Sequence, residues 1–270
     1  MFDSHDNPAP VQRFFELLGK SLSDAARSSE SVGLIIVHLE DLNRLMSTYG
    51  FRTGNQIAVE IAERLNSGLR DKDRIMRISE SKFAIVINAL RNRGILLLAA
   101  SKLSGICSAP IQVANEKMSL RIRMGLALGP SAAPDPETLH HNAEIALLSA
   151  QTDEADFAVF TPAQRDRASD SLQLENELDQ AIESKAFEVH YQPKVAAADF
   201  SPCGAEALIR WNNQKRGPVS PDIFIPLADR PGRMEPLTSF VLSTAIRHAL
   251  DWPTPLPVSI NVSAGMLIDT

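Results

Sequence analysis

Four residues in the second half of this 270-residue chain have types that do chemistry, in settings costly to keep for structure alone. Glu206 stands in an otherwise apolar run, Ala205–Arg210, where a carboxylate is expensive unless it is paired or holds a metal. Asn261 interrupts a second run, Val258–Val262, and Asn is depleted in strands. Gln192 ends a third, Phe187–Gln192. If these runs are strands of a β/α barrel, polar residues at their C-terminal ends are where a site is built. Their oxygen atoms suit Mg²⁺ or Mn²⁺. Arg210 is a candidate phosphate clamp, because its planar fork matches a phosphodiester. The competing reading is structural: an ion pair for Glu206, and core hydrogen bonding for Gln192 and Asn261.

The elements that must position these residues follow from periodicity. Val11–Ala26 carries Val11, Phe14, Phe15, Leu18 and Leu22 at helical spacing. Gly33–Leu39 is a buried strand, and Gly54–Leu69 a helix with Ile57, Ile61 and Leu65 on one face. Arg74–Ile78 and Phe83–Asn88 form a hairpin around Ser79–Lys82. Helix Gly94–Ile106, strand Leu120–Leu128, helix Pro136–Ala150 and strand Asp156–Phe160 complete an α+β layer of helices over a largely antiparallel sheet. A polar stretch with Pro162 then marks a boundary. Beyond it lie helix Leu172–Ser184, the three strand candidates above and helix Glu235–Leu250. The expected division is an N-terminal helix over 1–30, a domain over 31–162, a linker over 163–171 and a second segment over 172–270.

Composition narrows the classes. With 27 Lys+Arg against 33 Asp+Glu, the net charge of −6 argues against a general nucleic-acid surface. The two cysteines, Cys107 and Cys203, form no CxxC pair, so neither a zinc site nor a disulfide framework is expected. The start is polar, without a signal-peptide core, and no apolar run nears the ~20 residues of a membrane span. A cytoplasmic, reducing setting is the expectation.

Four blocks occur in order: VHYQPK (189–194), AEALIRW (205–211), VSPDIFIPLA (219–228) and SINVSA (259–264). Together they resemble the EAL family of cyclic di-GMP phosphodiesterases. The resemblance implies that Glu206 and Asn261 are metal ligands, with Gln192 and Arg210 near the substrate. It also implies Mg²⁺- or Mn²⁺-assisted hydrolysis of one phosphodiester of cyclic di-GMP to a linear dinucleotide. A barrel of this type needs eight strands and typically ~250 residues. Here only the stretch Ser171–Thr270 resembles one, and the family's later acidic ligands and catalytic lysine would lie past it. The expected fold is therefore α+β followed by an incomplete β/α (TIM-type) barrel, and this chain by itself is expected not to hydrolyse cyclic di-GMP.

Upstream, Val32–Phe160 resembles the GGDEF, or diguanylate cyclase, module. The segments LIIVHLEDLNRLMSTYGFRTGNQ (34–56), RISESKFAIV (77–86) and LHHNAEIALLSA (139–150) carry the likeness. Its signature is lost: Ser79, Glu80, Ser81 and Lys82 stand where Gly, Gly, Asp and Glu are expected. The glycines would permit close backbone approach to phosphates. His38 stands at the first metal-binding Asp, and Met46 and Asn55 stand at guanine-contacting positions. Cyclase activity is not expected. Arg70 and Asp73 keep the RxxD spacing of the family's inhibitory cyclic di-GMP site, although Arg70–Asp73 also reads as an ordinary solvated helix end. Two function classes stay open: a phosphodiesterase-family protein with an inactive cyclase-like domain, and a non-enzymatic cyclic di-GMP-binding or protein-interaction regulator. A second copy of the chain is a further expected partner, met through the N-terminal helix or an open barrel edge.

Overall fold

The structure is a computed structural model that describes residues 10–113, 116–229 and 232–262. The polar start before Pro10 and the end of the 259–264 block lie outside the described residues. The chain forms two compact units, divided between Ala168 and Ser169.

The first unit contains α1 (Pro10–Ser28), β1 (Ser31–Leu39), α2 (Leu42–Tyr49), α3 (Phe51–Ser67), β2 (Arg74–Arg77), β3 (Lys82–Leu90) and α4 (Arg93–Cys107). It continues with β4 (Ile111–Val113), β5 (Glu116–Met118), β6 (Ile122–Gly129), α5 (Pro136–Thr152) and β7 (Phe157–Val159). Its sheet has the order β2-β3-β1-β6-β7. All neighbours run antiparallel except β6 and β7. Strand β1 is covered on both faces, which is why it reads as one apolar run. Ile35, Val37 and Leu39 join a core with Ile57, Ile61 and Leu96 from α3 and α4. Leu34 and Ile36 point the other way, to Phe14, Leu18, Leu139 and Leu147 from α1 and α5.

That second core includes the N-terminal helix. Phe14, Leu18, Leu22 and Ala25, the apolar stripe of α1, are buried within their own unit. The stripe is therefore spent on the sheet. The helix expected from Gly54 begins at Phe51, after the separate helix α2. The two are broken at Gly50, whose φ of 86° suits glycine. Sequence periodicity also missed the short β4–β5 pair, which has too few residues to show alternation.

Helix α5 packs unusually close to the sheet. Its N-terminus is set by Asp135, which accepts from Thr138 N (2.7 Å), and by Pro136 in the first turn. On β6, Gly125 and Ala127 keep the facing surface small. A Cβ at Gly125 would stand 2.1 Å from Ala143 O and 2.3 Å from Leu147 N.

Helix α6 (Pro162–Ser184) starts ten residues before the expected Leu172. Pro162 sits in its first turn, where proline is pre-organised for a helix instead of breaking it. Segment 163–171 is therefore helical.

The second unit adds β8 (Glu188–Val195), β9 (Pro202–Asn213), β10 (Gly217–Val219), α7 (Pro221–Ala228), α8 (Met234–Leu250) and β11 (Val258–Ile260). Strand β11 joins β9 in parallel, after the α7–α8 crossover, as a β/α barrel requires. Strand β8 departs from that pattern and pairs with β9 antiparallel. Only residues 196–201 link them, too few for the dozen or more a parallel crossover takes. Among the described residues no closed barrel is formed. Trp211 is buried against Phe187 and Phe224, with ring centroids 6.2 and 5.7 Å away.

Candidate functional sites

Alternation along β9 sorts its residues into two faces. Ala207, Ile209 and Trp211 pack under the helices. Glu206, Leu208 and Arg210 take the opposite face. Gln192 of β8 stands directly opposite Glu206, and Ser259 of β11 stands opposite it on the other side. Two positions on, Asn261 Nδ2 donates to Glu206 Oε1 at 2.9 Å. The sheet therefore brings Gln192, Glu206 and Asn261 to one place. Glu206 is half-buried, whereas Gln192 and Asn261 are exposed.

Arg210 and Asn261 line a cavity of about 330 Å³, with Leu208, Leu237 and Val241 among its apolar walls. Arg210 Nη1 donates to Ile209 O at 2.9 Å, which leaves further guanidinium donors for a ligand.

The donor set fits a hard divalent cation. Adjacent ligands of an octahedral ion with ~2.1 Å bonds stand about 3.0 Å apart. The Glu206–Asn261 separation is 2.9 Å, and turning the Asn261 amide would present its oxygen. Among the described residues no group of three or more His, Cys, Asp or Glu gathers at one point, so this pair is not backed by further acidic ligands there.

The first unit brings its own set together, with different chemistry. In the sheet register His38 lies between Lys82 of β3 and Arg123 of β6, so three basic side chains form a row across one face. Each has a partner. Lys82 Nζ bonds Glu144 Oε2 (2.7 Å), and Arg123 pairs with Glu40 and Asp156 (both 3.6 Å). Gln151 Nε2 lies 2.9 Å from His38 Nδ1. Burial, and then Lys82, push the His38 imidazole below its ordinary value. Glu144 also lies 3.7 Å from His140, a ring stacked edge-on with Phe14 and Phe15. Glu144 and Gln151 reach the row only through the docking of α5, so these partnerships carry no local sequence signal.

Nearby, Arg77 ties the turn of the β2–β3 hairpin to α3. Its Nη1 donates to Asn55 Oδ1 (2.6 Å), its Nη2 to Glu80 O (2.6 Å) and its Nε to Ser79 O (3.2 Å). Met46 packs against Gly54, where a Cβ would meet Met46 Cγ at 2.1 Å.

Arg70 and Asp73 are brought together, and they bond each other. Asp73 Oδ1 accepts from Arg70 Nη2 (2.8 Å) and Asn88 N (3.1 Å). Asp73 Oδ2 accepts from Arg70 Nε (2.8 Å) and Arg70 N (3.1 Å). All four acceptor sites of the carboxylate are filled. Arg70 Nη2 also reaches Asn88 O (2.9 Å), which pins the turn before β2 to the end of β3.

A second buried carboxylate, Asp41, accepts from Arg121 Nε and Nη2 (3.2 and 3.1 Å) and from Arg44 (3.1 Å). The Arg121 hydrogen bond, more than any other cause, lowers its pKa to about 2. This contribution is complete above the ordinary aspartate value near 4 and is lost as pH falls through about 2. Because Arg121 is largely exposed, the effect is discounted to about 1 kcal/mol. Acid titration of thermal stability should show a step below pH 4 that Asp41→Asn removes.

Comparison with known proteins matches these two units separately. Residues 11–156 fit the model of the "Diguanylate cyclase, GGDEF domain" family, and residues 175–270 fit that of the "EAL domain". The bifunctional diguanylate cyclase/cyclic di-GMP phosphodiesterase MucR of Pseudomonas aeruginosa is 29% identical over 268 residues, covering 96% of this chain and 39% of that protein. The cyclic di-GMP phosphodiesterase NbdA of the same organism is 29% identical over 259 residues, covering 94% and 33%. The chain thus spans about two fifths or less of the length of these curated relatives. Among solved structures, the GGDEF domain of P. aeruginosa TpbB (YfiN) superposes with a TM-score of 0.57 at 22% identity, covering 61% of this chain and 99% of that one. The S helix-GGDEF-EAL portion of Vibrio cholerae LapD, bound to c-di-GMP, gives 0.55 at 17% identity, covering 97% and 62%. At these identities the structures speak for fold alone. The family models cover most of the chain in the order cyclase-like unit, then EAL segment, and the chain belongs to the GGDEF–EAL family.

Proposed function

We propose that this chain acts in cyclic di-GMP signalling, with a ligand-binding EAL segment and a cyclase-like unit that does not make the nucleotide. The observation that carries the reading is the Glu206–Asn261 pair at 2.9 Å, at the centre of the polar sheet face and joined to the Arg210 cavity. Glu206 and Asn261 would hold Mg²⁺ or Mn²⁺, which when bound polarises water and a phosphoryl oxygen. Arg210 would clamp the phosphodiester from inside the cavity, and Gln192 would face the ligand from β8. The walls formed by Leu208, Leu237 and Val241 would shield it from water.

The cyclase reading is disfavoured by charge. Where the family resemblance puts two metal-binding carboxylates, His38 and Lys82 face each other across β1 and β3. A cation bound there would meet an ammonium group. Asn55 is engaged by Arg77, and Met46 fills the space over Gly54, so the guanine-contacting positions are also occupied from within.

Hydrolysis needs more acidic ligands than Glu206 supplies. Protein of this 270-residue sequence is therefore expected to bind cyclic di-GMP without consuming it. That outcome favours the second reading, a binding or protein-interaction regulator. The test is calorimetry with cyclic di-GMP alongside chromatography of nucleotides after incubation with Mg²⁺ or Mn²⁺. We expect no cyclic di-GMP from GTP, no linear dinucleotide, and binding weakened about tenfold by Arg210→Ala. Absence of binding would reject the reading. Turnover abolished by Glu206→Ala would reject its non-catalytic part.

A further inference from the structure

Strands β8 and β11 both pair with β9, one on each side. A side-chain bond nevertheless joins them: Lys194 Nζ donates to Ser259 Oγ at 2.7 Å. The lysine stem must cross β9 to reach it, running diagonally from the position opposite Gly204 to Ser259, the residue opposite Glu206. Gly204 is the residue directly opposite Lys194 in the β8–β9 register. A Cβ on Gly204 would stand 3.1 Å from Pro257 O and 3.9 Å from Lys194 Cβ. Ser259 Oγ also donates to Ala205 O at 3.4 Å.

Strand β11 is only three residues long and follows Pro257, which lacks an N–H donor for the ladder. So short a strand has few backbone bonds to fix its register. Ser259 faces Glu206, and Asn261 follows two positions later on the same face, where it donates to Glu206.

We infer that Lys194 is a positioning residue, reaching across β9 to tie Ser259 and so holding β11 in the register that presents Asn261 to Glu206. The consequence for ion binding rests on the reading of Glu206 and Asn261 as ligands. The strap itself does not need an ion.

The test combines amide hydrogen exchange at Val258–Asn261 with Mn²⁺ titration, on the parent chain, Lys194→Met, Ser259→Ala and Lys194→Arg. Losing one such hydrogen bond should speed exchange in β11 about three- to tenfold in Lys194→Met and in Ser259→Ala, with the β9 core unchanged. Lys194→Arg, which keeps a long donor, should restore it. Mn²⁺ affinity should fall with Lys194→Met and recover with Lys194→Arg. Unchanged exchange in both Lys194→Met and Ser259→Ala would overturn the strap. A rise in Mn²⁺ affinity in Lys194→Met would also overturn it, because the lysine would then be acting as an opposing charge. If the parent chain binds no Mn²⁺ while β11 exchange still responds to both variants, the strap stands and the metal reading of Glu206 and Asn261 fails.

Discussion

Gly125→Ala should destabilise the first unit by about 3 kcal/mol, at the upper end of the usual cost of overpacking. The added methyl would meet Ala143 O at 2.1 Å and Leu147 N at 2.3 Å, both backbone atoms of α5. A side chain can rotate away from such a clash, but a helix backbone can only move as a whole. Moving α5 outward would loosen Leu139, Ala143 and Leu147 from their core and part Glu144 and Gln151 from Lys82 and His38. Denaturant unfolding should show the loss, together with faster exchange in α5. A change below about 0.5 kcal/mol, the usual range for a harmless substitution, would contradict the packing described.

Asp73→Ala should cost a similar amount, about 3 kcal/mol, by removing one partner from a buried charged network. The carboxylate is 3% exposed and accepts four hydrogen bonds, two of them from backbone amides. Its loss would leave the Arg70 and Asn88 backbone amides without this acceptor. The network bears directly on the RxxD resemblance. With every acceptor of Asp73 engaged inside the protein, its carboxylate has a structural role at the β2–β3 junction. Thermal unfolding of Asp73→Ala in the absence of any nucleotide checks this. A variant as stable as the parent would contradict that structural role.

Much of the architecture was legible because local pattern and burial agree. The apolar run of β1 is buried on both faces, and α1 shows its stripe at helical spacing. Glu206, Gln192 and Asn261 stood out as polar residues in apolar runs, and the strand register gathers them. The antiparallel β8–β9 pairing was not readable: the expected strands end at Gln192 and begin at Ala205, and only their extension to Val195 and Pro202 shortens the link to residues 196–201. Other features have no local signal. The Lys82–Glu144 and His38–Gln151 partnerships join a strand to a helix more than sixty residues away. The Lys194–Ser259 strap joins residues 65 positions apart. Pro162 misled because proline both stops helices and starts them, and only the chain after it decides which.

The central proposal is that the β1–β3 centre holds no metal and that a ligand set sits on β9 and β11. Paramagnetic broadening by Mn²⁺ in the amide spectrum of the isotope-labelled chain tests both halves at once. The account expects broadening concentrated around Glu206, Ala207 and Asn261, abolished by Glu206→Ala, with the signals of His38 and Lys82 unaffected. Broadening at His38 and Lys82 with none at Glu206 would contradict it.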